Sequence, residues 1–233
     1  MRSKTQHITD LEIDLTLGDM LRVMGCPPPE RLRPEHREMA ERILVNARKM
    51  LQPRGVYLIR PVSWMTDDEL QLEGCPVITG PIAEFLKPAR RVAVFVVTVG
   101  PEISRRAEEC MRDGRKLEGY MLDAIGSSAA DAAADAMTNH VYWHEAGPDE
   151  AVTPPFSPGY CGMSLDEQKT LFSIIDASPI GVRLTPAMIM EPLKSVSGLF
   201  GIGESSEVIA RGVPCRWCEA HECKTRRAAR TSE

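Results

Sequence analysis

Two stretches decide the fold: residues 117–144 read LEGYMLDAIGSSAADAAADAMTNHVYWH, and residues 91–99 read RVAVFVVTV. The first is rich in alanine, the residue with the highest helix propensity, and predicts one long helix. The second is rich in β-branched residues and is followed by Gly100-Pro101, which predicts a strand. Working outward, helical and strand patterns mix without regular βαβ alternation. The sequence therefore predicts an α+β fold.

The flanking segments predict further elements. Weak alternation predicts a strand over Ile8–Leu17, helical spacing predicts a helix over Pro34–Leu51, and strands are expected over Val56–Val62 and Leu193–Ile202. A helix is expected over Leu165–Asp176, because Ser164 and Glu167 have the spacing of an N-terminal capping box.

Polar residues on the long helix recur every four positions and so fall along one side. They are Asp123, Ser127, Asp131 and Asp135. The plain interpretation is a solvated stripe. His140 and His144 also lie four apart, a spacing that can hold a metal, but at this end of a helix they are expected to complement the helix C-terminus.

Composition limits the class of protein. The 233 residues are 43% hydrophobic and 26% charged, and the net charge is -5, which argues for a globular protein and against nucleic acid as the main partner. No stretch approaches the ~20 apolar residues of a membrane span. Met1–Asp19 lacks the apolar run of a signal peptide, so a cytoplasmic location without membrane partners is expected.

Seven cysteines are present, an odd number that argues against a disulfide framework. Three of them, Cys215, Cys218 and Cys223, crowd into a basic tail, which we separate as residues 213–233 from a domain of residues 1–212. A CxxC pair with a third thiolate nearby predicts a metal site, with Cys161 as the fourth ligand or His221 in its place. The pattern leaves zinc, an iron–sulfur cluster and free thiols open.

A loop dense in proline and glycine, PPFSPGYCG over 154–162, stands out as a candidate binding loop. Pro158 stiffens the chain, Gly159 permits close approach of the backbone, and Tyr160 offers a flat face and a hydroxyl group. A rigid surface turn with a packed tyrosine is the structural alternative.

An ordered set of short motifs surrounds this loop. They are LRVMG (21–25), TVGPE (98–102), the loop itself, QKTLF (168–172), IGVRLT (180–185), MEP (190–192) and SVSGL (195–199). Together they resemble the activation domain of vitamin B12-dependent methionine synthase. The resemblance extends over roughly residues 8–205, and each motif is weak by itself while their order is fairly specific.

This resemblance implies a C-shaped single α+β domain with a twisted antiparallel sheet and long helices. It also implies a shallow groove for S-adenosylmethionine and docking over a corrinoid, so that inactive cob(II)alamin is reduced and remethylated. The implied ligand-binding residues are Ser157, Pro158, Gly159, Tyr160, Ser195, Val196, Ser197 and Gly198.

Two positions depart from the family. Pro155 stands where the family's methionine synthases have an arginine, and Asn139 aligns with a glutamate that helps to hold the ligand. Proline cannot replace the bidentate grip of arginine on a carboxylate, which weighs against S-adenosylmethionine binding. The chain also lacks the homocysteine, folate and cobalamin domains of a complete synthase.

The resemblance thus implies a stand-alone activation or reactivation module for a corrinoid-dependent methyltransferase system, with a corrinoid protein as its partner. One alternative is an iron–sulfur redox protein that delivers an electron to the corrinoid. Another is a non-catalytic binding protein stabilised by zinc. No nucleophile set follows from residue spacing, so the sequence leaves open whether the chain catalyses a reaction itself.

Overall fold

The computed structural model describes residues 4–81 and 86–211 of the protein. The strands of this part are β1 (Gln6–Ile8), β2 (Arg54–Met65), β3 (Glu69–Leu72), β4 (Val77–Thr79), β5 (Ala89–Thr98), β6 (Glu150–Val152), β7 (Arg183–Leu184), β8 (Met190–Glu191) and β9 (Ser195–Glu204). The α-helices are α1 (Leu17–Val23), α2 (Pro34–Arg48), α3 (Glu102–Arg112), α4 (Lys116–Glu145), α5 (Glu167–Ile174) and α6 (Ser205–Arg211). This mixture confirms the predicted α+β class.

The main sheet is built around β5. Its two neighbours are β2 and β9, and both pairings are antiparallel. The order across the sheet is β4-β3-β2-β5-β9-β6, with β1 also paired to β2, while β7 and β8 form a separate pair. The pairings are antiparallel throughout the described residues, as the resemblance implied.

The core lies on both faces of this sheet. Phe95 and its alternate neighbours in β5 pack with α1, α2, α3 and α4 on one face. Val94 and its alternate neighbours pack with β3, β4 and α5 on the other. Because side chains alternate along a strand, burial on both faces requires a continuous apolar run. This explains why β5 was the clearest strand in the sequence.

The long helix α4 has the predicted place and length. Its small residues allow close packing, since a methyl group added at Gly119 would lie 2.9 Å from the carbonyl oxygen of Ala107 in α3. Ala129 and Ala133 are fully buried against the core. Although α4 has 30 residues, neither it nor another helix in the described part has the apolar stretch needed to cross a membrane.

Two local predictions were wrong. Only Gln6–Ile8 is a strand near the N-terminus, and the chain runs irregularly until α1 begins behind its N-cap, Thr16. The capping box at Ser164 does not form, because the helix begins later, at Glu167. The Glu167 carboxylate instead accepts a hydrogen bond from the Thr79 hydroxyl of β4.

Candidate functional site

The loop between β6 and α5 is fixed to the outer side of β9. The Thr153 N–H donates to the Gly201 carbonyl at 2.9 Å. Phe156 and Leu199 exchange two backbone hydrogen bonds, of 2.8 and 2.9 Å. The loop therefore continues the sheet beyond β6, and it enters the proline-glycine turn from a rigid base.

The predicted loop and strand residues are direct neighbours at Gly198. A methyl group added there would lie 2.3 Å from the Phe156 carbonyl oxygen and 3.0 Å from both Ser157 Oγ and Phe95 Cε1. Heavy atoms do not approach so closely without a shift of the backbone. Glycine is therefore required at position 198 for the loop to pack on β9.

The turn at residues 157–163 presents Tyr160 to solvent. Gly159 and Gly162 both have φ of 86°, a region that favours glycine. The Gly159 N–H donates to the Met163 carbonyl at 2.9 Å, and the Tyr160 N–H to the Ser157 carbonyl at 3.1 Å. Tyr160 is 65% exposed. The turn is tightly bonded while its aromatic side chain stays accessible.

The other predicted ligand residues differ in their exposure. Pro158, Ser195, Ser197 and Gly198 are buried, Ser157 and Val196 are half-buried, and Gly159 is exposed. Ser197 Oγ accepts a 3.4 Å hydrogen bond from Gln168 Nε2 of α5, beneath the turn. Gln168 Oε1 is buried without a hydrogen-bond partner in the described part of the chain. The predicted contacts of these residues with a ligand stay predictions.

A buried lysine joins the start of β9 to α4. Lys194 Nζ lies 2.7 Å from Asp123 Oδ1 and donates to Ser127 Oγ at 2.9 Å. Its side chain is 9% exposed, whereas that of Asp123 is 50% exposed. The Lys194 carbonyl accepts from the Val99 N–H at 3.1 Å. Asp123 and Ser127, two of the four residues of the predicted solvated stripe, thus hold the strand that carries Ser195–Gly198.

The other two residues of the stripe, Asp131 and Asp135, line a cavity of about 270 Å³ between the N-terminal segment, α1 and α4. The cavity is strongly acidic, and its carboxylates are Glu12, Asp14, Asp19, Asp131 and Asp135. Arg22 also lines it and is paired with Asp19 at 2.8 Å. Asn139, which the sequence resemblance matched to a ligand-binding glutamate, lies in its wall. The residues Ser157–Tyr160 and Ser195–Gly198 do not line this cavity.

Ser128 gives the cavity an unusual group. The residue lines the cavity and is 4% exposed, and its hydroxyl is buried without a hydrogen-bond partner among residues 4–81 and 86–211. Buried polar groups are almost always hydrogen-bonded, so an unpaired hydroxyl in a cavity wall is a candidate ligand contact. No group of three or more Asp, Glu, His or Cys in the described residues is arranged to hold a metal ion.

Comparison with known proteins gives the family. The family model described as "Vitamin B12 dependent methionine synthase, activation domain" matches residues 79–212. The chain belongs to this activation-domain family. The match includes α4, the Tyr160 loop and β9, so the resemblance seen in the short motifs is confirmed. A search of curated proteins gave no match.

A solved structure shows the same fold. It is described as "Crystal Structure of the MetH Reactivation Domain bound to AdoHcy". It is 19% identical in sequence, with a TM-score of 0.62 over 86% of this chain and 78% of that chain. At this identity the likeness shows the fold alone. It extends the activation-domain architecture beyond the residues that the family model matches.

Several residues of the acidic cavity were not predicted. Glu12 and Asp14 were assigned to a strand, and Ser128 was not singled out. The available signal was the crowding of carboxylates at 10–19 opposite the aspartate row, but sequence alone does not say that these segments meet. The resemblance had singled out Asn139, and this residue lies on the same surface.

The metal predictions have separate outcomes. Cys215, Cys218, Cys223 and His221 lie outside the described residues, so the metal site of the tail stays a prediction. Cys161 lies in the turn beside Tyr160, where it has φ of 50° and is half-buried. Cys26, Cys75, Cys110 and Cys161 form no disulfides with one another.

One of the two histidines of α4, His144, contacts a carbonyl oxygen at the helix end, as expected, whereas the ring of His140 packs against aromatic neighbours. Their rings stack with centroids 4.1 Å apart, and the Nδ1 of His144 lies 2.8 Å from the His140 carbonyl oxygen. His140 also packs edge-on against Tyr57 of β2 at 5.9 Å. Tyr57 in turn donates a 2.8 Å hydrogen bond to Glu145, which anchors the end of α4 to the sheet.

This arrangement predicts a pH dependence of stability. Burial lowers the pKa of His140, the neighbouring His144 lowers it further, and Glu145 opposes them. In the unfolded chain a histidine takes up its proton near its ordinary pKa of about 6.5, which is above the lowered pKa of His140 in the folded protein. Stability is therefore present above that pH and is lost as the pH falls below it. The His140→Gln variant should lose less of its free energy of unfolding than the wild type between about pH 7.5 and about pH 5.5, as measured by urea denaturation.

The matched control is His36→Gln, which changes an exposed histidine of α2. It should keep the wild-type pH dependence. Identical slopes for the wild type and the His140→Gln variant would contradict the role given to His140.

Proposed function

We propose that the protein is an activation module that docks on a separate corrinoid-bearing protein and supports its reductive reactivation. Membership of the activation-domain family supports this proposal. The corrinoid supplies the redox and methyl-transfer chemistry when it is bound to that partner. This chain supplies a docking surface and a ligand cavity.

The observation that carries the proposal is the exposed Tyr160 on its rigid turn. An aromatic side chain buries much apolar area at low conformational cost, which suits it to a flat partner surface. The Tyr160 side chain is 65% exposed and so is accessible to a partner. Two backbone hydrogen bonds between Phe156 and Leu199 fix the loop that carries it. Sites on rigid supports bind more tightly because little ordering is needed on association.

The proposal is tested by titration. The cobalamin-binding domain of a vitamin B12-dependent methionine synthase is loaded with cob(II)alamin, and the full chain is added while the visible spectrum is recorded. We expect a saturable spectral change in the cob(II) state and weaker binding to the methylated state. Equal affinity for both states, or no binding to either, would refute docking as the basis of reactivation.

We further propose that the acidic cavity takes a positively charged, nucleoside-type ligand. The related MetH domain is described as bound to AdoHcy, and S-adenosylmethionine differs from it by a cationic sulfonium carrying the methyl group that it donates. The carboxylates of Glu12 and Asp14 have no ion-pair partner in the described part of the chain, so they favour the cation. The unpaired Ser128 hydroxyl offers a hydrogen bond to the same ligand. Calorimetry should therefore give tighter binding for S-adenosylmethionine than for AdoHcy.

The Ser128→Ala variant separates a ligand contact from a structural one. Removing an unpaired buried hydroxyl should leave the free energy of unfolding unchanged or raise it by about 1 kcal/mol. The same change should weaken S-adenosylmethionine binding about tenfold, since one hydrogen bond is lost. Denaturation and calorimetry on one preparation provide both values.

Two further variants act as controls on charge. Asp14→Asn removes a cavity carboxylate and should weaken the binding of S-adenosylmethionine more than that of AdoHcy. Asp10→Asn, in the same exposed segment but outside the cavity, should change the binding of neither.

For Ser128→Ala, a loss of stability without a loss of affinity would assign the hydroxyl to folding instead.

A further inference from the structure

A second cavity lies at the N-terminal end of α4, where the first turns of this helix meet α2 and α3. Its volume is about 350 Å³, within the range of small-molecule sites. From residue 120 to residue 134 the axis of α4 rises about 20 Å, so this cavity is separate from the acidic one. Its charge is also different, because lysine and arginine replace the row of aspartates.

The floor of this cavity is apolar and its rim is polar. Ile43, Met50 and Leu122 form the apolar part, and Leu122 is 3% exposed. Asn46 of α2 and Lys49, which directly follows α2, lie on the rim. Neither side chain has a hydrogen-bond or ion-pair partner in the described part of the protein, so both are available to a ligand.

The rim carries an excess of donors over acceptors. Arg106 uses one nitrogen, at 3.2 Å from Glu109, and has other N–H groups left. Glu118 is the one acidic residue of the lining, and both of its oxygens accept from Arg115 at 3.0 Å. Because Glu118 is paired with Arg115 and Arg106 with Glu109, Lys49 is the cation of the lining without an ion-pair partner among the described residues, and it determines the local potential. Glu118 still disfavours a ligand with two negative charges.

We infer that this cavity is a binding site for a small monocarboxylic acid with an apolar body. The carboxylate is bound between Lys49 and Arg106, with Asn46 donating from the same side. The apolar body covers Ile43, Met50 and Leu122 and removes their surfaces from water. This inference goes beyond the proposed function and does not depend on it, because neither the Tyr160 turn nor the acidic cavity takes part.

The experiment uses octanoate as the probe, with octylamine and 1-octanol as matched compounds of the same chain length. The full chain is labelled with ¹⁵N and titrated while backbone amide shifts are recorded. Octanoate should give saturable shifts at Asn46, Lys49, Arg106 and Leu122, and it should bind at least about tenfold more tightly than the other two compounds, as expected for one charge-assisted contact. Equal binding of octylamine or octanol would overturn the inference.

Two variants test whether the octanoate carboxylate binds between Lys49 and Arg106. Lys49→Met and Arg106→Met should each weaken octanoate about tenfold or more. Arg112→Met is the control, since Arg112 is an exposed arginine of α3 that does not line the cavity. Affinities unchanged by both cavity variants, shifts centred elsewhere, or a titration that does not saturate would each overturn the site. The amide spectrum of each variant without octanoate reports whether it is folded.

Discussion

Replacing Tyr160 with alanine is expected to weaken binding to a cob(II)alamin-loaded partner domain about thirtyfold. Central aromatic residues of an interface contribute about 2 kcal/mol or more on truncation, which is roughly that factor in Kd. The effect is large because the turn that carries the tyrosine is already ordered by hydrogen bonds within the loop. Spectral titration with the variant and the wild type measures the two dissociation constants side by side.

The control for this prediction is Tyr120→Ala. Tyr120 is 46% exposed on α4, so it has a similar chemical character without belonging to the loop. Tyr160→Phe tests the hydroxyl group separately and should retain most of the affinity if the ring makes the contact. A Tyr160→Ala variant that binds as tightly as Tyr120→Ala would remove the loop from the docking surface.

Replacing Gly198 with alanine is expected to lower the free energy of unfolding by about 3 kcal/mol, the upper part of the range for overpacking. The added methyl would lie 2.3 Å from a carbonyl oxygen of the backbone, which cannot move aside as a flexible side chain can. That carbonyl belongs to Phe156 and accepts from the Leu199 N–H, so relief of the contact breaks this bond. Urea denaturation measures the loss.

Gly18→Ala provides the comparison for a glycine without such contacts. Its added methyl would meet Thr16 Oγ1 at 3.5 Å, an ordinary contact, within helix α1. Stability should therefore be unchanged or slightly increased, because alanine favours the helix. Equal stability of Gly198→Ala and Gly18→Ala would contradict the close approach of the loop to β9.

The sequence predicted those elements whose residues carry a strong local signal. The apolar run of β5 and the alanine-rich α4 are examples, and their bounds differ from expectation by only a few residues. The short strand Glu69–Leu72 was missed, because four residues are too few to display a period. Alternation near Ile8–Leu17 was misleading for the same reason, since a weak pattern also occurs in irregular segments.

The site depended on contacts that no local pattern encodes. The proximity of Ser157 and Gly198 was implied by family resemblance, not by spacing. Lys194 and Asp123 are 71 positions apart, and the burial of the lysine follows from how the start of β9 meets α4. The acidic cavity likewise forms only when the N-terminal segment packs beside Ser128. Tertiary packing, rather than propensity, creates these surfaces.

The pairing of Phe156 with Leu199 has a further consequence for behaviour at high concentration. A sheet border with open N–H and C=O groups invites strands from other molecules, and proteins commonly cover it. Here β6 is short, and the loop takes over as the cover of β9. A variant whose loop detaches would thus expose a template for intermolecular β-pairing, so self-association and loss of solubility should accompany loss of docking.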